Sequence, residues 1–313
     1  MRNIFIIAII FLFSFAAFAQ SQAPDIRKID ADPSRGFSYP YYLYVPAKSE
    51  AAAVGRHLLV LPNNTGVLDD DLSVHEANVK RRIAQVPLAF GKLNAPAIMP
   101  VFPRPKSDWK VYTHALDRDA MITDKKEYAR FDQQLVAMID DARRRLANEK
   151  ITMDKRVLIY GFSAAGMFSN RFAFLHPDRV LAAAVGSPGG WPIAPVSKIN
   201  DKKLRYPIGS DDVKAVAGDK IDFAKLRKVR FLMFLGDKDD NDSVVFGDSY
   251  EPEDKDLVFE LFGKTPVERW EKSKKIYSDA KLNAEFKLYP GIAHTITPAI
   301  IGDINAFFTA AMQ

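Results

Sequence analysis

"RVLIYGFSAAGMFSNRFAFLHPDRV" (residues 156–180) reads as a short strand, a tight turn and a helix in immediate succession. Val157 to Tyr160 form an unbroken apolar run, the pattern of a strand buried on both faces. From Ala164 onward the composition is helical, so Gly161-Phe162-Ser163-Ala164-Ala165-Gly166 must reverse the chain within a few residues. The small side chains at 161, 165 and 166 let such a helix pass close to neighbouring strands. A hydroxyl on this turn is lifted above the sheet, over the unpaired amides of a helix N-terminus. Those amides can stabilise an oxyanion, and the Ala164 N–H is the first of them. Ser163 is therefore a candidate nucleophile, weighed against the plainer reading of a small residue where a helix packs tightly on a strand.

Working outward, the same alternation recurs on both sides. "FSYPYYLYVP" (37–46), "RHLLVLP" (56–62) and "PAIMPVF" (96–102) read as strands, with a helix expected from about 75 to 86. Residues 127–148 place Phe131, Leu135, Met138, Ile139, Ala142 and Leu146 at helical spacing. Beyond the opening stretch, "RVLAAAVG", "VRFLMFLG" and "AEFKLYPG" read as strands, while "VERWEKSKKIYSDAKL" and "IGDINAFFTAAM" read as helices. Strands separated by helices imply right-handed crossovers, hence an α/β fold with a mostly parallel central sheet and helices on both faces. Active residues in such sheets gather beyond the carboxyl ends of the strands. Two stretches, 188–222 and 240–266, fit the rhythm poorly and are expected as loop insertions, either plain surface or a wall over a site.

Composition narrows the chemistry. The first nineteen residues, basic then apolar and ending Ala17-x-Ala19, predict a cleaved secretory signal, leaving 20–313 as one expected domain in a secreted or periplasmic protein. No stable membrane insertion is expected after cleavage. The 313 residues contain no cysteine, which excludes disulfides, a thiol nucleophile and Cys-ligated metals. Core burial must then supply the stability, and a chain of this length has the interior for it. The net charge of +5 is spread without a basic stripe, so nucleic acid is not an expected partner. No Gly-rich stretch has the Rossmann or phosphate-loop arrangement, and no cofactor is expected.

"GFSAAG" (161–166) resembles the nucleophile elbow of the α/β-hydrolase superfamily, and the order of elements along the chain is similar to its secreted esterases, polyhydroxyalkanoate depolymerases and feruloyl esterases. One departure is visible: the superfamily pattern G-x-S-x-G has Ala165 here at its last position. The resemblance implies an acid and then a histidine after the serine. Of His57, His75, His114, His176 and His294, two follow Ser163. His294, in "YPGIAHTITPAI" beyond the last strand, takes the place of the base; His176 reads as a helix-capping or surface residue. For the acid, the relatives' G-x-x-D turn maps onto Gly236 and Asp239, with Asp242 and Asp237 as alternatives in the same acidic loop. That loop could also offer oxygens to calcium, but the turn glycine and distant glutamate of a full calcium loop are missing. The second oxyanion amide is expected from Pro62-Asn63-Asn64-Thr65-Gly66, at Asn64 or Thr65.

The expected reaction is cleavage of a small-molecule or polymeric carboxylic ester through an acyl-enzyme. Trp191 and Phe162 are the expected pocket aromatics, with Tyr250 and Phe246 as further candidates. A serine peptidase of the same superfamily and a non-catalytic hydrolase-like binding protein are the competing readings. The sequence leaves the acyl and alcohol groups and the oligomeric state open.

Overall fold

The computed structural model describes residues 25–47, 56–64 and 66–313. The expected signal (1–19) and the oxyanion candidate Thr65 lie outside these residues.

Eight strands form one sheet: β1 (Asp25–Ile29), β2 (Tyr41–Val45), β3 (Leu59–Val60), β4 (Ala97–Pro100), β5 (Val157–Phe162), β6 (Val180–Gly186), β7 (Arg230–Gly236) and β8 (Asn283–Tyr289). Their order across the sheet is β1-β2-β4-β3-β5-β6-β7-β8. β1 and β2 pair antiparallel, as do β2 and β4; every later pairing is parallel. β5 therefore lies in the middle between β3 and β6, and every residue of β6 is buried.

The alternation of side chains along these strands builds two cores, one on each face. Val157 and Ile159 of β5, with Phe231, Met233 and Leu235 of β7, join one core. Helix α2 (Phe131–Asn148) adds Leu135 and Met138 to it, α3 (Ala164–Leu175) adds Phe168 and Phe172, and α5 (Pro266–Asp279) adds Trp270 and Tyr277. Leu158 and Tyr160 of β5, with Leu232 and Phe234 of β7, face the other way. They meet Val79 and Ile83 of α1 (Leu72–Ile83) and Ile300, Ile304 and Phe308 of α6 (Pro298–Met312). Each fully buried large side chain of this kind stabilises the fold by about 1.5–3 kcal/mol. The result is a three-layer α/β sandwich with a mostly parallel sheet, as the sequence predicts.

Two elements differ from the expectation. β1 is an edge strand whose side chains are mostly exposed, so "DIRKI" carries too little apolar alternation to be read as a strand. Helix α4 (Pro252–Phe262) lies inside the stretch expected to be irregular; Pro252 at its first turn followed by Glu253 and Asp254 is the signal for its start. The two insertions pack on each other through a third core of Trp191, Leu204, Ile208, Tyr250, Val258 and Phe262. Among the described residues no helix is long and apolar enough to cross a membrane.

Candidate active site

Ser163 joins β5 to α3 with φ 61° and ψ −128°, a conformation that costs a non-glycine residue of order 1–3 kcal/mol and persists only where the surroundings enforce it. They do so here by hydrogen bonds and by crowding. The Ser163 N–H donates to the Gly186 carbonyl at 3.0 Å, and the Met167 N–H donates to the Ser163 carbonyl at 3.0 Å. A Cβ at Gly161 would stand 1.9 Å from the Ala165 carbonyl oxygen, and one at Gly166 would stand 2.5 Å from that of Gly186. The positions that forbid a side chain are thus 161 and 166. Ala165 is fully buried with its methyl accommodated, so the departure from the G-x-S-x-G pattern falls where the packing tolerates it. The Ala164 N–H opens α3 and has no acceptor within the helix.

The candidate acid and base, Asp239 and His294, arrive on two adjacent turns. β7 and β8 pair in parallel up to Gly236 and Tyr289, and the chains that leave them stay joined. The Asp237 N–H donates to the Tyr289 carbonyl at 3.0 Å, the Lys238 N–H to that of Ile292 at 2.9 Å, and the Gly291 N–H to Asp237 Oδ1 at 2.7 Å. Gly236 is required by this contact, because a Cβ there would lie 2.1 Å from the Ile292 carbonyl oxygen.

These turns set His294 Nδ1 at 3.0 and 2.9 Å from the two carboxylate oxygens of Asp239, which is 3% exposed. Burial raises the Asp239 carboxyl, but hydrogen bonds from His294 and Ser187 outweigh it and hold the group below its ordinary value, ionised at neutral pH. A proton on Nδ1 satisfies that carboxylate and leaves the Nε2 lone pair as an acceptor. The ring also rests against Phe162, with centroids 4.6 Å apart.

The alternative acids are committed elsewhere. Asp237 binds the Gly291 amide, while Asp242 accepts the Val244 N–H at 3.0 Å and pairs with Arg269 at 2.6 Å. His176 caps α3 and bonds Asp132 at 2.8 Å, and His114 is buried to the point of being pushed down to about 3.

Ser163 and His294 line one cavity of about 780 Å³, together with Ala164, Asn64 and Gly66. Among the described residues no hydrogen bond joins the Ser163 hydroxyl to the imidazole; such contacts in unliganded sites often tighten only when substrate is bound. The Asn64 carbonyl accepts from Arg82 at 3.1 Å, and the neighbouring Asn63 side chain is locked to both the N–H and the carbonyl of Phe102, so Asn63 and the candidate Asn64 are anchored. No group of three or more His, Asp or Glu side chains among the described residues is placed to hold a metal ion.

The pocket aromatics need correction. Phe162 lines the cavity as expected, and so does Phe246. Trp191 does not: it is fully buried, stacked on Phe262 at 3.8 Å, with its indole N–H donated to the Ile208 carbonyl at 3.0 Å. Its ring is occupied in holding the two insertions together. Tyr250 lies in the same cluster, its hydroxyl accepting the Trp191 N–H at 3.1 Å. Trp109, Tyr112 and Arg104 take the places left open. All three come after the carboxyl end of β4, and that position, rather than any motif, is the signal that could have found them.

No family model and no curated protein matches the sequence. Solved structures match the fold. A poly(aspartic acid) hydrolase-1 from Sphingomonas sp. KT-1 aligns over 92% of this chain and 97% of its own, with a TM-score of 0.57 and 20% identity. A poly(3-hydroxybutyrate) depolymerase, LpqC, from Bordetella parapertussis aligns over 92% and 90%, with a TM-score of 0.56 and 16% identity. The three-layer sandwich of this chain is the α/β-hydrolase fold.

Proposed function

We propose that the protein is a serine hydrolase that cleaves carboxylic esters. The observation that carries this reading is the pairing of His294 Nδ1 with the buried, ionised Asp239 on the cavity that also holds the strained Ser163. With Nδ1 held by Asp239, His294 Nε2 takes the Ser163 proton as the hydroxyl attacks the ester carbonyl. The developing oxyanion is held by the Ala164 N–H and by an amide of the 63–66 turn, Asn64 being its described candidate. The imidazolium then gives its proton to the departing alcohol. Water, deprotonated by the same imidazole, releases the acid from Ser163.

An open, aromatic-rimmed cavity supports a bulky or polymeric ester, since Trp109 and Phe246 are about half exposed and available to a substrate that extends past the cavity. Secretion or a periplasmic location is part of the proposal, carried by residues 1–19 alone; sequencing the amino terminus of the exported protein tests it.

Reaction with a fluorescent phosphonate tests the catalytic reading. Labelling is expected in the wild type and absent in Ser163→Ala and His294→Ala. An unlabelled, folded wild type refutes it in favour of a binding protein, and faster turnover of anilides than of matched esters would favour the peptidase.

A further inference from the structure

Resting on the serine hydrolase reading, we propose that the Arg104–Asp248 pair makes this cavity select substrates whose remote polar group is uncharged and rich in acceptor oxygens, and reject those that carry a carboxylate there. Asp248 is the residue that sets the preference.

Both side chains line the cavity that holds Ser163 and His294. Arg104 is fixed on every side. Its N–H donates to His75 Nε2 at 3.2 Å, its carbonyl accepts the Asp69 N–H at 3.0 Å, and its guanidinium lies 3.9 Å over the Tyr112 ring. Its Nη2 meets Asp248 Oδ2 at 2.6 Å, with only 10% and 13% of the two side chains exposed. A guanidinium has five N–H donors, and this contact is single rather than bidentate. Nε has no partner but is closed off from solvent, so the donors left to a substrate are the Nη hydrogens that Asp248 does not take, on a side chain that lines the cavity.

Charge decides which substrate group would use those donors. Among the described residues, Arg104, Asp248 and His294 are the titratable or charged groups lining the cavity besides Tyr112, and with neutral imidazole their charges cancel. A carboxylate approaching Arg104 would also approach Asp248, which already sits at contact distance from the same guanidinium. The repulsion then offsets most of the attraction, while the carboxylate still loses its water. An ester, amide or hydroxyl oxygen accepts from the remaining Nη hydrogens without that opposition. The rest of the wall agrees: Val245 and Phe246, on the loop that carries Asp248, present exposed apolar surface to the same cavity.

The test compares 4-nitrophenyl hydrogen adipate with methyl 4-nitrophenyl adipate, which differ only in the remote group. The wild type is expected to favour the methyl ester at least about tenfold in kcat/KM. Asp248→Asn, which keeps the shape and frees the guanidinium charge, is expected to lower that ratio by about tenfold or more. Arg104→Gln, which leaves Asp248 unopposed, is expected to raise it. Wild-type preference for the free acid, or a ratio unchanged within twofold in Asp248→Asn, overturns the proposal. If Asp248→Asn does not fold, Asp248→Ser is read in the same way. Calorimetric binding of N-benzyl adipamic acid against N-benzyl adipamide gives the same comparison without turnover. A protein that binds the neutral amide in preference but hydrolyses neither ester would therefore refute the hydrolase reading and leave the charge selection standing.

Discussion

Replacing Asp239 by asparagine changes one oxygen into an amide nitrogen, and the contacts around it set the effect. Both carboxylate oxygens face His294 Nδ1, at 3.0 and 2.9 Å, while Oδ1 also accepts the Asn241 N–H at 3.0 Å. The asparagine oxygen is needed at the Oδ1 position to keep that backbone bond. Its NH2 group is then left about 3 Å from Nδ1, where two donors cannot face each other. The imidazole relieves the conflict by moving its proton to Nε2, the atom that should take the proton from Ser163. With Asp239 only 3% exposed, water cannot substitute for the lost acceptor.

A wrong tautomer in a serine–histidine–aspartate site lowers kcat by on the order of 10⁴-fold. At 1.36 kcal/mol per decade this is about 5.5 kcal/mol of transition-state stabilisation. The assay is hydrolysis of a 4-nitrophenyl ester at neutral pH, with phosphonate labelling and thermal melting measured on the same samples. Labelling should slow in parallel with kcat while the fold persists. Asp237→Asn and Asp242→Asn serve as the comparison, since those carboxylates hold a backbone amide and Arg269 instead; each is expected to stay within about tenfold of wild type in kcat. Retention of activity within tenfold by Asp239→Asn, or an equal loss in Asp242→Asn, would refute the assignment of the acid.

Two further outcomes are expected from two tryptophans, Trp191 and Trp109, and one from a buried acid. Trp191→Ala should cost about 3–5 kcal/mol of stability with KM for small esters unchanged, because the ring fills the core between the insertions. Trp109→Ala should leave the melting temperature nearly unchanged and raise KM about three- to tenfold, the worth of one aromatic contact; the reverse pattern would restore Trp191 to the pocket. Burial pushes the Asp117 carboxyl up to about 7, against the opposing hydrogen bond from the Ala120 N–H. Its folded value exceeds its unfolded one, so the stability it contributes is present below about pH 4 and is lost as pH rises through 7. Asp117→Asn keeps the acceptor for Ala120 and cannot ionise. Its melting temperature relative to wild type should therefore rise by several degrees between pH 5 and 8, and parallel curves would contradict the argument.

The sequence is most legible where one local pattern decides the outcome. β5, β6 and β7 are continuous apolar runs, and α2 buries the residues its spacing assigns to the core. Ser163 is legible for a related reason: a strand, small residues and a helix leave little room for any other turn. The pairing of His294 with Asp239 is narrowed by order along the chain. The choice among three aspartates needs the turn geometry, in which Asp237 and Asp242 find partners that no spacing reveals. Trp191 is misplaced by sequence reasoning because topology brings a residue near a site without saying which way its ring points. In this case the 240–266 stretch, including the unforeseen α4, supplies Phe262 to cover it. Arg104 and Trp109 carry no pattern at all; only the folded path of the segment after β4 brings them to the cavity.

The ties between the turn after Gly236 and the segment 289–292 have a consequence for anyone altering this protein. Two stretches more than fifty positions apart behave as a single part, fastened by main-chain bonds that do not depend on most side chains. Lengthening either one by a residue would displace its counterpart, so a graft from a related scaffold succeeds only when both are transplanted as a matched set.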